Sequence, residues 1–248
     1  MRPKRSLMAG LVLMGAVLLL AGQSEAITWD FRSGQTPGSQ VGSGFGNVWT
    51  FTVSGVEVTV TSWSQTGSGG AFQTSQTGRW DTGLGVCNRN ESAGCGSPNH
   101  QVDNVGSPDF LLLQFSGSYR PTAITIDPFG NFDRDISYWT GNTASQLDLG
   151  GRTLADLAGL GFGARLDSDN SAGDSPLTIN LTSGGVSSLL ISARVGSSDA
   201  DDYFKVRDLT GVAAVPEPGT LLLVGSGLLG LGVGARRRIA ARWRGARE

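Results

Sequence analysis

Phe110-Leu-Leu-Leu-Gln-Phe115 is an apolar run without alternation, followed at once by Ser116-Gly117-Ser118. A strand with one wet face alternates apolar and polar residues, so this run predicts a β-strand buried on both faces. The stretches on either side read differently. Val56-Glu-Val-Thr-Val-Thr61 and Thr122-Ala-Ile-Thr-Ile-Asp127 alternate strictly, as half-buried antiparallel strands do. Further apolar or β-branched runs lie at 48–53, 136–139, 177–181, 188–193 and 203–209, separated by Gly, Ser and Asn turns. Only Thr153-Leu-Ala-Asp-Leu-Ala-Gly-Leu160 suggests a helix, a short one with Thr153 as its cap. Eight or more short strands with turn-rich connections predict an all-β fold, a single jelly-roll-like antiparallel β-sandwich over residues 27–214. No internal repeat points to a propeller or solenoid. Residues 64–109, rich in Gly, Ser, Gln and Asn, read as a long loop, and a loop of that length is normally functional or tied down.

Charge is segregated along the chain. The total is −2, yet residues 27–215 carry 10 basic against 18 acidic side chains, a net of −8. So acidic a segment argues against nucleic acid as a partner, because phosphate binding needs clustered Lys and Arg. Glycine is abundant, 38 of 248 residues, and charged residues are 16%, a composition suited to an extracytoplasmic β-protein.

The basic residues sit at the two ends. Arg2, Lys4 and Arg5 precede an uncharged stretch from Leu7 to Ala21, then Ser24-Glu25-Ala26. This is a signal peptide over residues 1–26, with small residues placed for signal peptidase to cut between Ala26 and Ile27. At the other end, Val215-Pro216-Glu217-Pro218 leads into an uncharged stretch from Gly219 to Ala235 and then Arg236-Arg237-Arg238. As a helix that stretch extends about 25 Å, marginal for a hydrocarbon core of about 30 Å, and it predicts a C-terminal transmembrane helix. The Arg cluster acts as a cytoplasmic anchor, with residues 239–248 as a cytoplasmic basic tail. Pro216 and Pro218 hold the chain extended, so Glu217 is presented to a protease just outside the membrane.

Val-Pro-Glu-Pro, a Gly/Leu-rich span and an Arg cluster at the chain end resemble the PEP-CTERM sorting signal of Gram-negative bacteria, here over residues 215–238. The resemblance implies recognition by an exosortase at the inner membrane, removal of the tail, and a mature form on the cell surface or in the extracellular matrix. Such proteins typically belong to bacteria that make exopolysaccharide and biofilm, which nominates exopolysaccharide as a partner. Gly83-Leu-Gly-Val86, His100-Gln-Val-Asp-Asn104 and the strand from Phe110 also resemble the ectodomain of a group of exosortase-dependent surface proteins. That second resemblance implies no enzymatic activity.

Cys87 and Cys95 would close a nine-residue ring, worth roughly 2–3 kcal/mol as a disulfide. Free thiols or metal ligation are the alternatives, and a lone pair without nearby histidine is poor zinc chemistry. His100, the single histidine, lies three residues before Asp103. Without a Gly-x-Ser-x-Gly elbow, a hydrogen-bonding role is favoured over a catalytic triad. The acidic groups Asp103, Asn104 and Asp109, and Asp199, Asp201 and Asp202, are the candidate metal ligands, with calcium the candidate cofactor. Asp167-Ser-Asp-Asn-Ser-Ala-Gly-Asp174 is not an EF-hand, since Ala172 and Thr178 stand where Gly and Glu are required. Trp80 is the tryptophan placed best for sugar stacking, although core packing is the commoner fate of such rings. These features predict an exported, non-enzymatic surface or matrix protein with a structural or binding role. The alternative is a secreted hydrolase acting on exopolysaccharide, for which the exported part offers only Glu57 and Glu91 as glutamates.

Overall fold

The computed structural model describes residues 25–91, 100–196 and 201–213. Glu25–Ala214 forms one compact unit. The chain is all-β, with fourteen strands and one short 3₁₀ helix (Leu154–Leu160) among the described residues. In order the strands are β1 (Ala26–Asp30), β2 (Gly38–Val41), β3 (Val48–Val53), β4 (Val56–Gln65), β5 (Phe72–Thr74), β6 (Gln76–Trp80) and β7 (Gly83–Cys87). There follow β8 (Val102–Asp103), β9 (Asp109–Pro128), β10 (Ile136–Gly141), β11 (Leu166–Ser168), β12 (Leu177–Asn180), β13 (Val186–Ala193) and β14 (Tyr203–Ala213). Every pairing between these strands is antiparallel.

β9 organises the whole. Its first part, up to Phe115, lies between β4 (Ser64↔Asp109 to Val58↔Phe115) and β13. Ser116-Gly117-Ser118 is exposed, and beyond it the same strand runs between β14 and β12. The runs 110–115 and 122–126 are therefore two arms of one strand that changes partners. A shared core lies between the arms. Phe51, Val60 and Leu111 on one side meet Trp29, Ile124 and Leu209 on the other.

The first arm is buried on both faces, as Phe110–Phe115 predicts. Leu111 and Leu113 join the shared core, while Phe110 and Leu112 enter a second cluster with Trp63, Leu157 and Phe162. The 3₁₀ helix supplies Leu157 to that second cluster. Thr153 is its N-cap, and the Asp156 carboxylate accepts a 2.7 Å hydrogen bond from the Thr153 N–H.

Residues 64–109 are not the long loop that their composition suggests. They hold the end of β4, then β5, β6, β7 and β8. Glycine-rich β7 is buried along its whole length, because the 100–103 segment lies directly against it. No helix among the described residues is long and apolar enough to cross a membrane. The signal peptide up to Ser24, Cys95, Asp199, the Val215–Pro218 motif and the Arg236–Arg238 anchor lie outside the described residues.

Candidate functional site

Two acidic groups form at the end of the domain where β14 begins. In the first, oxygens of Glu91, Asp103 and Asp109 all lie within 4.8 Å of one another. Three separate segments deliver them. Asp109 opens β9 opposite Ser64, and Asp103 is fixed by the β8 pairing Tyr203↔Asp103. Glu91 is brought in by a turn directly after β7. There the Asn88 Oδ1 accepts the N–H groups of Asn90 (2.9 Å) and Glu91 (3.1 Å), and the Asn88 N–H donates to Glu91 Oε2 at 2.8 Å. The Asn88 side-chain amide also donates to Asp109 Oδ1 at 3.2 Å. Asp109 is fully buried, and its Oδ2 accepts no hydrogen bond.

Crowding three carboxylates out of water favours their neutral forms. Burial pushes the Glu91 carboxyl up to about 7, against the pull of the Asn88 N–H, and the Asp103 charge adds to the rise. Burial raises Asp103 to about 6, opposed by the Val105 N–H. Asp109 is driven well above its ordinary value by burial and then by the charges of Asp103 and Glu91; the Asn88 amide and the Asp103 N–H counter this only in part. None of the three forms an ion pair with a Lys or Arg of the described residues.

The second group, Asp133, Asp135 and Asp202, is equally close-set, but its two buried members, Asp135 and Asp202, are engaged at both oxygens. Asp202 accepts from the Asp135 N–H (2.9 Å) and the Asn104 amide (2.6 Å). Asp135 accepts from Arg194 (2.7 Å) and from the Asn170 N–H (2.5 Å), and Asp133 from the Arg134 N–H (2.8 Å). Of the candidate metal ligands, the fold thus brings Asp103 and Asp109 together and sends Asn104 to Asp202. Asp201 is exposed, its carbonyl accepting the Asp133 N–H. Glu91 and its partner Asn88 are not among the residues that the sequence marks as candidate metal ligands; their one signal is a position between Cys87 and Cys95.

His100 lies behind β7. Its Nδ1 is 3.1 Å from the Gln101 amide, and its ring centroid is 4.6 Å from that of Trp80. Burial and then the Lys205 charge lower its pKa. The Lys205 ammonium stands 5.1 Å from the Trp80 ring centroid, and only 4% of the residue is exposed. Burial takes Lys205 down to about 8, although Asp127 and Asp81 oppose the shift. The unfolded chain therefore binds this proton more tightly than the folded one, and stability should rise with pH between about 8 and 10.5. The full effect is on the order of 2 kcal/mol. Wild type should accordingly gain in urea midpoint from pH 7.5 to 9.5 relative to Lys205→Met. Parallel pH profiles for the two proteins would refute the buried-charge account.

A cavity of about 670 Å³ opens elsewhere, over the face of β4 and β9 that carries Thr59, Thr61, Trp63 and Gln114, with Glu57 also in its lining. Its lining is rich in hydroxyls and amides, and Trp63, 5% exposed, is too deep to offer a stacking face.

Residues 214–238 match the family model of the PEP-CTERM protein-sorting motif. Comparison of the chain with curated proteins and with solved structures gives no match.

Proposed function

Starting from the PEP-CTERM sorting motif that the chain carries at residues 214–238, we propose that it is an exosortase-processed protein of the cell surface or extracellular matrix. Its β-domain has a structural or binding role in exopolysaccharide or biofilm rather than a catalytic one. The motif at the end of an all-β domain is the observation that carries this reading. Residues 1–26 act as signal peptide and 219–235 as a transient transmembrane helix, so the inner membrane, signal peptidase and exosortase are partners only during export. The core enclosed between the two arms of β9 supports a jelly-roll-like sandwich. The hydroxyl- and amide-lined cavity over β4 suits a polar, uncharged ligand such as a glycan. The pairing of the His100 Nδ1 with Gln101, rather than with a carboxylate, supports the non-enzymatic reading. Cys87 and Cys95 form a disulfide; Cys87 is 3% exposed, and the described residues contain no free cysteine.

Intact-mass spectrometry of protein from the medium and from membranes tests this. Wild type should lack both ends and be two hydrogens lighter than the dithiol form. Replacing Pro216-Glu217-Pro218 by alanines should leave a longer, membrane-retained form. Wild-type levels of processed extracellular protein from that variant would overturn the sorting assignment.

A further inference from the structure

We propose that Glu91, Asp103 and Asp109 form a calcium site that ties together the turn after β7, strand β8 and the start of β9. The inference stands on the domain alone and is independent of what becomes of the tail.

Two observations carry it. The first is convergence: three carboxylates from three segments place oxygens within 4.8 Å of one another. The second is the unused Asp109 Oδ2. A fully buried carboxylate oxygen without a donor is costly, and native structures rarely leave one so. The Asn88 amide holds the other oxygen, which fixes the orientation of the carboxylate. The neighbouring Asp133, Asp135 and Asp202 group illustrates the alternative. There, backbone N–H groups, Asn104 and Arg194 meet both oxygens of each buried carboxylate, Asp135 and Asp202, so neither leaves an oxygen unmet.

The donor set selects the ion. Oxygen ligands without His or Cys suit a hard divalent cation and not zinc. Calcium contacts of about 2.3–2.6 Å hold opposing oxygens about 4.6–5.2 Å apart, whereas magnesium demands about 4.2 Å in a stricter octahedron. Calcium's adaptable coordination therefore suits carboxylates delivered by three separate segments better than magnesium's strict octahedron does. Three carboxylates brought out of water are also stabilised by two positive charges, where otherwise they must take up protons. The site resembles in character the loop-bracing calcium of extracellular modules, with Kd about 10⁻⁴–10⁻³ M.

The test uses the protein purified from its producing cells, stripped with EDTA and titrated with CaCl₂ or MgCl₂ by calorimetry and thermal unfolding. Calcium should bind once per chain and raise Tm by about 3–10 °C at roughly 10 mM. Asp109→Asn should lose that response while its metal-free Tm equals or exceeds that of wild type, because the unpaired buried carboxylate is gone. Glu91→Gln, on the half-buried rim and with the least risk to folding, should weaken calcium binding at least tenfold, and it decides the matter if Asp109→Asn fails to fold. Asp133→Asn should respond like wild type. No heat or Tm shift for wild type, undiminished responses in Glu91→Gln and Asp109→Asn, or an equal response to magnesium would each overturn the assignment.

Discussion

Gly85→Ala should lower Tm by about 6–12 °C, because a methyl group there meets backbone that cannot turn aside. A Cβ on Gly85 would collide with the His100 carbonyl oxygen and stand 3.0 Å from its carbon. Gly85 pairs across the hairpin with Gly78, and a Cβ on Gly78 would strike the Trp80 ring. The paired glycines thus make a bare patch on which the ring and the 100–103 segment both rest. Overpacking costs about 1–3 kcal/mol when side chains can yield. Here a carbonyl must move, so the top of that range applies, and about 3 kcal/mol in a domain of this size gives the stated shift. Displacing His100 also displaces Asp103 three residues on, so the calcium response should fall with the stability. Gly117→Ala is the control, since its Cβ would meet nothing within 4 Å. Equal melting temperatures for the two variants would refute the close-approach argument.

Trp29→Ala should cost about 3–5 kcal/mol. Trp29 is fully buried on β1, with ring centroids 5.7 Å from Phe115 and 4.8 Å from Tyr119. Those two residues flank the bend at which β9 changes partners, so the cavity would open at the hinge between its arms. Trp29→Phe should be far milder, below about 1.5 kcal/mol. The indole N–H has no hydrogen-bond partner, and deleting a buried unpaired donor offsets part of the lost ring area. Urea midpoints at unchanged slope measure both. A Trp29→Phe cost matching that of Trp29→Ala would mean that ring size, and not the orphan donor, sets the energetics.

What sequence alone makes legible here follows from side-chain periodicity. Phe110–Phe115 announces burial on two faces, and the two clusters around Leu111 and Leu112 are its outcome. Periodicity is silent where backbone, not side chain, does the packing. Gly83-Leu-Gly-Val-Cys87 looks like a turn-rich loop because its glycines carry no pattern, yet those glycines admit the neighbouring chain. The acidic site was half legible for a similar reason. Asp103 and Asn104 are adjacent, but neighbours on extended chain face opposite ways, and each joins a different cluster. Glu91 reaches Asp109 only through the tertiary path of β7 and β8, which no local spacing reports. The C-terminal sorting motif, in contrast, is a linear motif that requires no fold to be read.

Strand β14 has a mechanical consequence. It runs from Tyr203, paired with Asp103 beside the acidic cluster, to Ala213, where the described domain ends and the sorting tail follows. Along the way β1 and β9 flank it, their ladders reaching Val212 and Ala213. Until the tail is cut, tension on it enters at one end of an eleven-residue strand, about 35 Å from the carboxylates at the other. If the cluster end is gripped, the ladder bonds lie perpendicular to the pull and are loaded in shear together, not peeled singly. The acidic cluster and the point at which the chain leaves the domain thus lie at opposite ends of the one strand that carries the load.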